Sequence, residues 1–499
     1  FLAQDPETRV IGLYLESMAK GRKFLAALAN CPKPVVLHKA NTAPESQLIA
    51  QSHTAALAVD DQIVDAACRR AGVFRARSFQ QFINYAKAFA LPPMRGDKLM
   101  VISRSGGHAV VSADAAAAEK FCLPPLTADF VEKISSQFRA AVIKPTNPLD
   151  LGDIFNIDYY ITILEMSLAR ADVDGILFNH VFQAESEAAS TRRLAREVEN
   201  LSRRYDKPVA LVLFSSESAI AALLAEISLP IFAEPLLAVE ALGASRRRSA
   251  FLARPGRNTA LPRPTGIRPR PLYEEWLAAA GRRDQTLFAD QALTLVGEYG
   301  LPTAGWSLAR DGRELLEEGE DLGFPLVLKA VVAGLTHKSD VGGVLTGIRD
   351  AQALADVGRL LFDRFAKDAG FCGVLLQKEV DTRLEMIVGA RRDPSFGEVF
   401  VFGMGGIYAE ILRDVAMAPG PLDCELVREM VEGLRGAAIL GGARGQAGID
   451  FNELNRVLGG LQALLEDYPA ISEIEINPLV FSGGRALIVD ARIVTKVVT

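Results

Sequence analysis

The chain has 499 residues, with 55 basic and 61 acidic side chains and a formal net charge of −6, a balance that leaves no basic footprint and excludes nucleic acid from the expected partners. No apolar run approaches the roughly 20 residues of a membrane span and no signal peptide is recognisable, so no membrane partner is expected. A hydrophobic content of 49% with 23% charged residues is that of a soluble globular protein, and the length predicts about three domains.

The opening "FLAQDPETRVIGLYLES" (Phe1–Ser17) reads as a helix end feeding a strand, as if the chain began in mid-protein. From Arg9 short apolar runs alternate with helical spacing. "RVIGLYLES", "KPVVLHKA" and "KLMVISRSGG" are strands, and "GRKFLAALANC" and "SFQQFINYAKAFA" are helices. That alternation predicts βαβ units around a parallel sheet. A second set follows, with "VDGILFNHV", "KPVALVLFS" and "LPIFAEP" as strands. Residues 1–129 and 130–242 are therefore expected to form two successive flavodoxin-like α/β domains. Residues 243–275 are rich in Arg and Pro and lack periodicity, which predicts an extended, solvated linker.

Residues 276–499 change character. A helix, "QTLFADQALTLVGEYG", is stopped by Gly300 and Pro302. Strands follow at "FPLVLKAV", "GGVLTGI", "CGVLLQKEV", "RLEMIVGARR" and "EVFVFGMGG", and "ISEIEINPLVFSGGRALIVDARIV" reads as two antiparallel strands around a Ser-Gly-Gly turn. This part is α+β. The five cysteines (Cys31, Cys68, Cys122, Cys372, Cys424) are scattered without a C-x-x-C pair, which argues against a disulfide framework or zinc site and for the cytoplasm.

The closing hairpin carries the clearest chemical signal. Asn477 and Asp490 are thirteen residues apart and are expected to meet at one end of the hairpin. An amide oxygen beside a carboxylate suits Mg²⁺, which shares oxygen ligands with phosphates; the plainer alternative is a turn at Asn477-Pro478 and a solvated Asp490. Lys329 lies on an apolar strand, where an ammonium needs an anion or a salt-bridge partner. "FGMGG" (Phe402–Gly406) is a second place where backbone can approach a ligand closely.

Taken together, "GFPLVLKA", "THKSDVGGV", "LLQKEV", "FGMGGIYAEILRDV", "GGARG" and "EIEINPLV…VDARI" resemble the ATP-grasp domain of NDP-forming (ADP-forming) acyl-CoA synthetases, the acetate–CoA ligase relatives of succinyl-CoA synthetase. The resemblance implies that Lys329 contacts ATP phosphates, that Gln377, Lys378, Glu379 and Val380 form the adenine-side hinge, and that Asn477 and Asp490 hold Mg²⁺. It extends to the first half, where "LYLESMAKGRKF", "PVVLHKANTAPES" and "SHTAALA" are similar to the family's strand–Glu segment and its Ser-His-Thr-Gly phosphohistidine loop. It implies that His53 is the phosphorylated histidine and that Glu16, thirty-seven residues earlier, holds its other ring nitrogen. The chemistry agrees: a neutral imidazole is a good nucleophile near neutral pH, and a carboxylate on the opposite nitrogen fixes its tautomer.

Donors for the phosphoryl group are expected from two helix starts, one at Thr54 and one after Ser105, Gly106 and Gly107. The chain departs from the family in having Ala55 and Ala56 where a glycine is usual. His337, in "THKSDVGG", is implied to be either a second phosphoryl carrier or a hydrogen-bond donor that binds phosphate and is never phosphorylated. Of the remaining histidines, His38 is expected to be packed, His108 to reach substrate or phosphate, and His180 to line the CoA or acyl side. The loop Lys144–Asp153 is expected to shape a cleft.

The resemblance thus implies an ATP- and Mg²⁺-using enzyme that makes an acyl-CoA from a small carboxylic acid and CoA, releasing ADP and phosphate through acyl phosphate and phosphohistidine. Nothing in the sequence resembles the family's CoA-binding domain, so the chain is expected to work as a homo-oligomer or with such a domain supplied from elsewhere. Two other readings stay open: a non-catalytic sensor of nucleotide or acyl-CoA with the same fold, and a different ATP-grasp carboxylate ligase, which gives no role to His53 or Glu16.

Overall fold

The structure is a computed structural model that describes residues 1–29, 31–43, 60–135, 145–152, 156–254, 260–283, 285–335, 341–380, 384–406, 414–442, 448–482 and 485–497. His53, Thr54 and His337 lie outside the described residues, as do Ala55, Ala56 and parts of the Lys144–Asp153 loop. The chain divides into two compact units. Phe1–Met18, Lys23–Val59 and Cys68–Pro255 form the first; Ala19–Arg22, Asp60–Ala67 and Gly256–Thr499 form the second.

Through residue 90 the chain runs β1 (Ile11–Leu15), α1 (Gly21–Ala29), β2 (Val35–Lys39), α2 (Asp61–Ala71), β3 (Val73–Ala76) and α3 (Phe79–Ala90). The strands form a parallel sheet in the order β1-β2-β3. Its middle strand is the most apolar, and Val35, Val36 and Leu37 are buried. Ser78 starts α3 by accepting a hydrogen bond from the Gln81 amide, the usual work of an N-cap hydroxyl. The expected helix end before β1 is absent: residues 1–9 form turns.

The next set comprises β4 (Leu99–Ser103), α4 (Gly106–Ala118), α5 (Ala128–Ser135), β5 (Leu149–Asp150), α6 (Ile157–Leu168), β6 (Gly175–Val181), α7 (Ala184–Tyr205), β7 (Val209–Phe214), α8 (Glu217–Leu224), β8 (Ile231–Phe232) and α9 (Pro235–Ala253). The five parallel strands are ordered β5-β4-β6-β7-β8. This is the flavodoxin-like order, in which the winding reverses between β4 and β6 and opens a crevice at their C-terminal ends. With both faces covered by helices, strands such as LMVIS and GILFNHV are almost wholly buried.

Two boundaries differ from the sequence expectation. β4 pairs with β5 and β6, so the first α/β set ends between Ala90 and Leu99 and not at residue 129. The linker is also shorter than 243–275. α9 continues to Ala253 and buries Gly243, Ala244, Ser245 and Arg248. Its arginines are held by carbonyls: Arg246 donates to Lys120 O at 2.9 Å and Glu119 O at 2.7 Å, and Arg248 to Pro32 O at 2.7 Å.

The second unit contains α10 (Pro271–Arg282), α11 (Ala289–Glu298), β9 (Trp306–Ala309), α12 (Gly312–Leu322), β10 (Leu326–Val332), β11 (Val344–Ile348), α13 (Ala351–Phe365), β12 (Phe371–Lys378), β13 (Glu385–Asp393), β14 (Gly397–Met404), β15 (Val415–Pro419), α14 (Cys424–Glu432), α15 (Ala437–Leu440), α16 (Phe451–Asp467), β16 (Ile471–Ser482), β17 (Arg485–Ile488) and β18 (Ala491–Thr495). One antiparallel sheet has the order β11-β10-β12-β9, with α12 and α13 packed on it. The other runs β15-β14-β13-β16-β17, with β18 also on β16. The predicted closing pair is thus three strands. β16 pairs with β18 through Ile476 and with β17 from Leu479. The changeover falls at Asn477-Pro478, where proline has no N–H for the ladder.

Candidate functional site

The site is built where the two sheets of the second unit meet. β16 alternates with period two. Ile474 and Ile476 go into the core at 1% and 0% exposure, which turns Glu473, Glu475 and Asn477 to the other face. At the changeover the Asn477 amide donates to Asp490 O at 3.2 Å, and Val489 N to Pro478 O at 3.1 Å. Asn477 and Asp490 are therefore neighbours, in the middle of β16 and not at a hairpin end.

Both residues line a cavity of about 400 Å³. Its walls are Thr286–Ala289, the end of β10 with the turn after it (Val331–Leu335), and Glu475, Asn477, Asp490, Ala491 and Arg492. Asn477 Nδ2 donates to Glu475 Oε1 at 3.4 Å. Arg492 faces Glu475 across the ladder, and its guanidinium lies 3.5 Å from Glu473 and 3.7 Å from Glu475. Glu475 and Arg492 were not singled out from the sequence. The signal was there: in "EIEINP" the alternation that buries both isoleucines presents both glutamates and Asn477 together, and Arg492 follows Asp490 by two.

Lys329 lies behind this wall, 6% exposed. Its ammonium donates to Gln377 Oε1 at 2.7 Å and to Val489 O at 2.9 Å. The bond to Val489 ties the four-stranded sheet to the changeover beside Asp490. Gln377 is 1% exposed, and its Nε2 meets no acceptor among the described residues. In the hinge, Lys378 N donates to Gly305 O and Glu379 N to Pro325 O, while Lys378 Nζ donates to Gly323 O and Phe324 O at 3.0 and 2.8 Å. These contacts brace the entry to β10. Val380 follows the strand and is half-buried.

Asn477, Asp490 and Glu475 are oxygen-bearing residues that line one cavity, and an amide oxygen beside carboxylates fits a divalent cation of the Mg²⁺ type. No group of three or more His, Cys, Asp or Glu side chains that could hold a metal occurs among the described residues; Mg²⁺ commonly takes one or two protein ligands and completes its shell with water and phosphate.

In the first unit, Glu16 is exposed just past β1 and accepts from Tyr14 Oη at 3.4 Å. Ser105 caps α4 in extended conformation without a side-chain cap bond, and Gly106 and Gly107 open the helix. A Cβ at Gly106 would stand 2.8 Å from Asp150 Oδ2, so glycine lets that carboxylate approach the positive helix end. His38 is packed, 4.6 Å from the Phe79 ring, with Nδ1 3.1 Å from Ala76 O. His108 stacks on Phe214 at 3.8 Å.

His180 differs from expectation. It is 1% exposed, boxed by Tyr160, Phe178 and Phe182, with Nε2 3.2 Å from Thr191 Oγ1. It is packed in the interior beneath α7, which carries Thr191, and is not open to a surface. Burial pushes its pKa down to about 4, with Arg104 adding to the shift and Glu187 opposing it.

Residues 278–495 match the family described as an ATP-grasp domain, and residues 1–89 the succinyl-CoA ligase-like flavodoxin domain. The 4-hydroxybutyrate–CoA ligase (ADP-forming) of Nitrosopumilus maritimus is 28% identical over 99% of this chain and 71% of its own length. The acetate–CoA ligase (ADP-forming) I of Archaeoglobus fulgidus is 30% identical over the same shares. Among solved structures, a chain of the Ca. Korarchaeum cryptofilum dinucleotide-forming acetyl-coenzyme A synthetase 1, in complex with coenzyme A and Mg-AMPPCP, is 28% identical with a TM-score of 0.40, over 45% of this chain and 100% of that one. With an identity of 30% sustained along almost its whole length, the chain belongs to the family of ADP-forming acyl-CoA ligases.

Proposed function

We propose that the chain activates a small carboxylic acid for thioester formation with CoA at the expense of ATP, with His53 carrying the phosphoryl group between nucleotide and acid. The cavity beside Lys329 is the observation that carries this reading. It puts three oxygen donors from β16 and the β17–β18 junction on one wall, with a buried ammonium bonded to the backbone of that junction.

In the mechanism this supports, Lys329 holds a phosphate of ATP, with the orientation of its ammonium set by Gln377 and Val489. Asn477 and Asp490 would hold Mg²⁺, which when bound neutralises phosphate charge during transfer. The imidazole of His53 attacks the γ-phosphorus with its lone pair. The bond to the bridging oxygen breaks, its electrons leave with ADP, and the other ring nitrogen keeps its hydrogen. Glu16 fixes that nitrogen at the acceptor end, where Ser105, Gly106 and Gly107 supply amide donors to the phosphoryl group. The acid's carboxylate then takes the phosphoryl group as an acyl phosphate, and the thiol of CoA displaces phosphate. For the CoA step the chain is proposed to work with a CoA-binding domain or as an assembly that supplies one. His337 is the second carrier or a hydrogen-bond donor that binds phosphate at the nucleotide end.

Titration calorimetry with Mg-ADP tests the nucleotide site. Asp490→Asn is expected to weaken binding about tenfold or more and to flatten its Mg²⁺ dependence. Unchanged affinity and unchanged Mg²⁺ dependence in that variant contradict the assignment.

A further inference from the structure

We infer that Arg492 is the residue that recognises the terminal, transferable phosphoryl group of the nucleotide, and so separates ATP from ADP in this cavity. The inference rests on the nucleotide reading above and adds a function for a side chain that reading leaves out.

Among the described residues that line the cavity, Arg492 is the one basic side chain. The antiparallel register sets it opposite Glu475, and directly opposed residues project from the same face of a sheet. It therefore faces the same space as Glu475 and Asn477. Its present contacts are long, at 3.5 and 3.7 Å, and its side chain keeps 40% of its surface open. Nε is buried and meets no acceptor among the described residues. A guanidinium carries five N–H donors in a rigid fork, and here the fork is only partly satisfied.

A phosphoryl group answers both deficits, offering paired oxygens to the fork and charge to the cation. The acidic wall gives a second reason. Glu475 and Asp490 repel an approaching triphosphate, and a cation on the same wall is needed for oxygens that no metal takes up. Lys329 is engaged from behind by Gln377 and Val489; Arg492 opens directly onto the cavity. During transfer the γ-phosphorus breaks its bond to the bridging oxygen, ADP leaves with that electron pair, and the imidazole lone pair forms the N–P bond. The three non-bridging oxygens travel with the phosphorus. Contacts to them exist in ATP and are lost with ADP, so Arg492 is expected to be silent toward the diphosphate.

The test is titration calorimetry of the full chain with Mg-AMPPNP and Mg-ADP, in wild type, R492Q and R492K, beside single-turnover labelling from γ-labelled ATP. The expected result for R492Q is a loss of about tenfold or more for AMPPNP with ADP held within about twofold, and a transfer rate lower by about a hundredfold. R492K, which keeps the charge without the fork, is expected to fall between. Equal losses for both nucleotides overturn the inference and make Arg492 a counter-ion of Glu473 and Glu475; no loss for AMPPNP overturns it too. Glu473→Gln controls for folding, since it frees Arg492 without removing it and is expected to bind AMPPNP at least as well as wild type. Wild type that binds neither nucleotide defeats the reading of the cavity and the inference with it; wild type that binds both while R492Q still discriminates defeats the inference alone.

Discussion

A buried lysine is costly unless its charge is answered, and Lys329 is answered by an amide oxygen and a backbone carbonyl from the opposite sheet. Lys329→Met is expected to reduce nucleotide affinity by about ten- to a hundredfold. It should also cost about 1–3 kcal/mol of stability, because Gln377 Oε1 and Val489 O stay buried without their donor. Calorimetry and urea denaturation separate the two effects, and an unchanged affinity contradicts the assignment. His180 makes a prediction of the opposite kind, on stability alone. Its ring stays neutral in the native state down to about pH 4, whereas in the unfolded chain it protonates near its ordinary value, about 6.5. Below that value the unfolded state binds a proton the native state refuses, so stability is lost as pH falls between the two values, by about 2 kcal/mol at pH 5. Urea midpoints at pH 7 and 5 are expected to differ less in His180→Leu than in wild type; equal differences contradict the burial account. Lys329 was legible from the sequence because an ammonium in an apolar strand needs an explanation. His180 was not, because strand alternation alone does not say which face lies under a helix.

At the scale of elements, most strands and helices follow from short apolar runs and periodic spacing, and the sheets follow from them. What the sequence hid was pairing. "RALIVDARIV" reads as one strand, yet Val489–Asp490 interrupts it so that β17 and β18 each take half of β16. That break places Asp490 beside Asn477. The boundary between the two α/β sets was hidden for the same reason, since nothing local in β4 says that its partners are β5 and β6. The arginines of α9 read as linker because solvated charge is the common case; here carbonyls from other elements hold them. Ile476, fully buried under the site, ties element to function. Ile476→Ala is expected to cost about 2–5 kcal/mol and to weaken Mg-ADP binding, because the same strand presents Glu475 and Asn477. A urea midpoint within error of wild type contradicts the packing account.

For the whole molecule, membership of the ADP-forming acyl-CoA ligases assigns the two parallel sheets and the ATP-grasp unit to one reaction. The chain covers 71% of the length of the Nitrosopumilus maritimus and Archaeoglobus fulgidus ligases, whose names give different acids, so the acid is a question for a substrate panel with CoA supplied. The step on which the proposed reaction turns is the acceptance of phosphate from the nucleotide by one imidazole. Incubation of the chain with Mg²⁺ and γ-labelled ATP, followed by acid and alkali treatment, measures this directly. The expected result is an acid-labile, alkali-stable label that His53→Ala abolishes; an undiminished label in that variant overturns the role of His53 and moves the carrier to His337 or another residue.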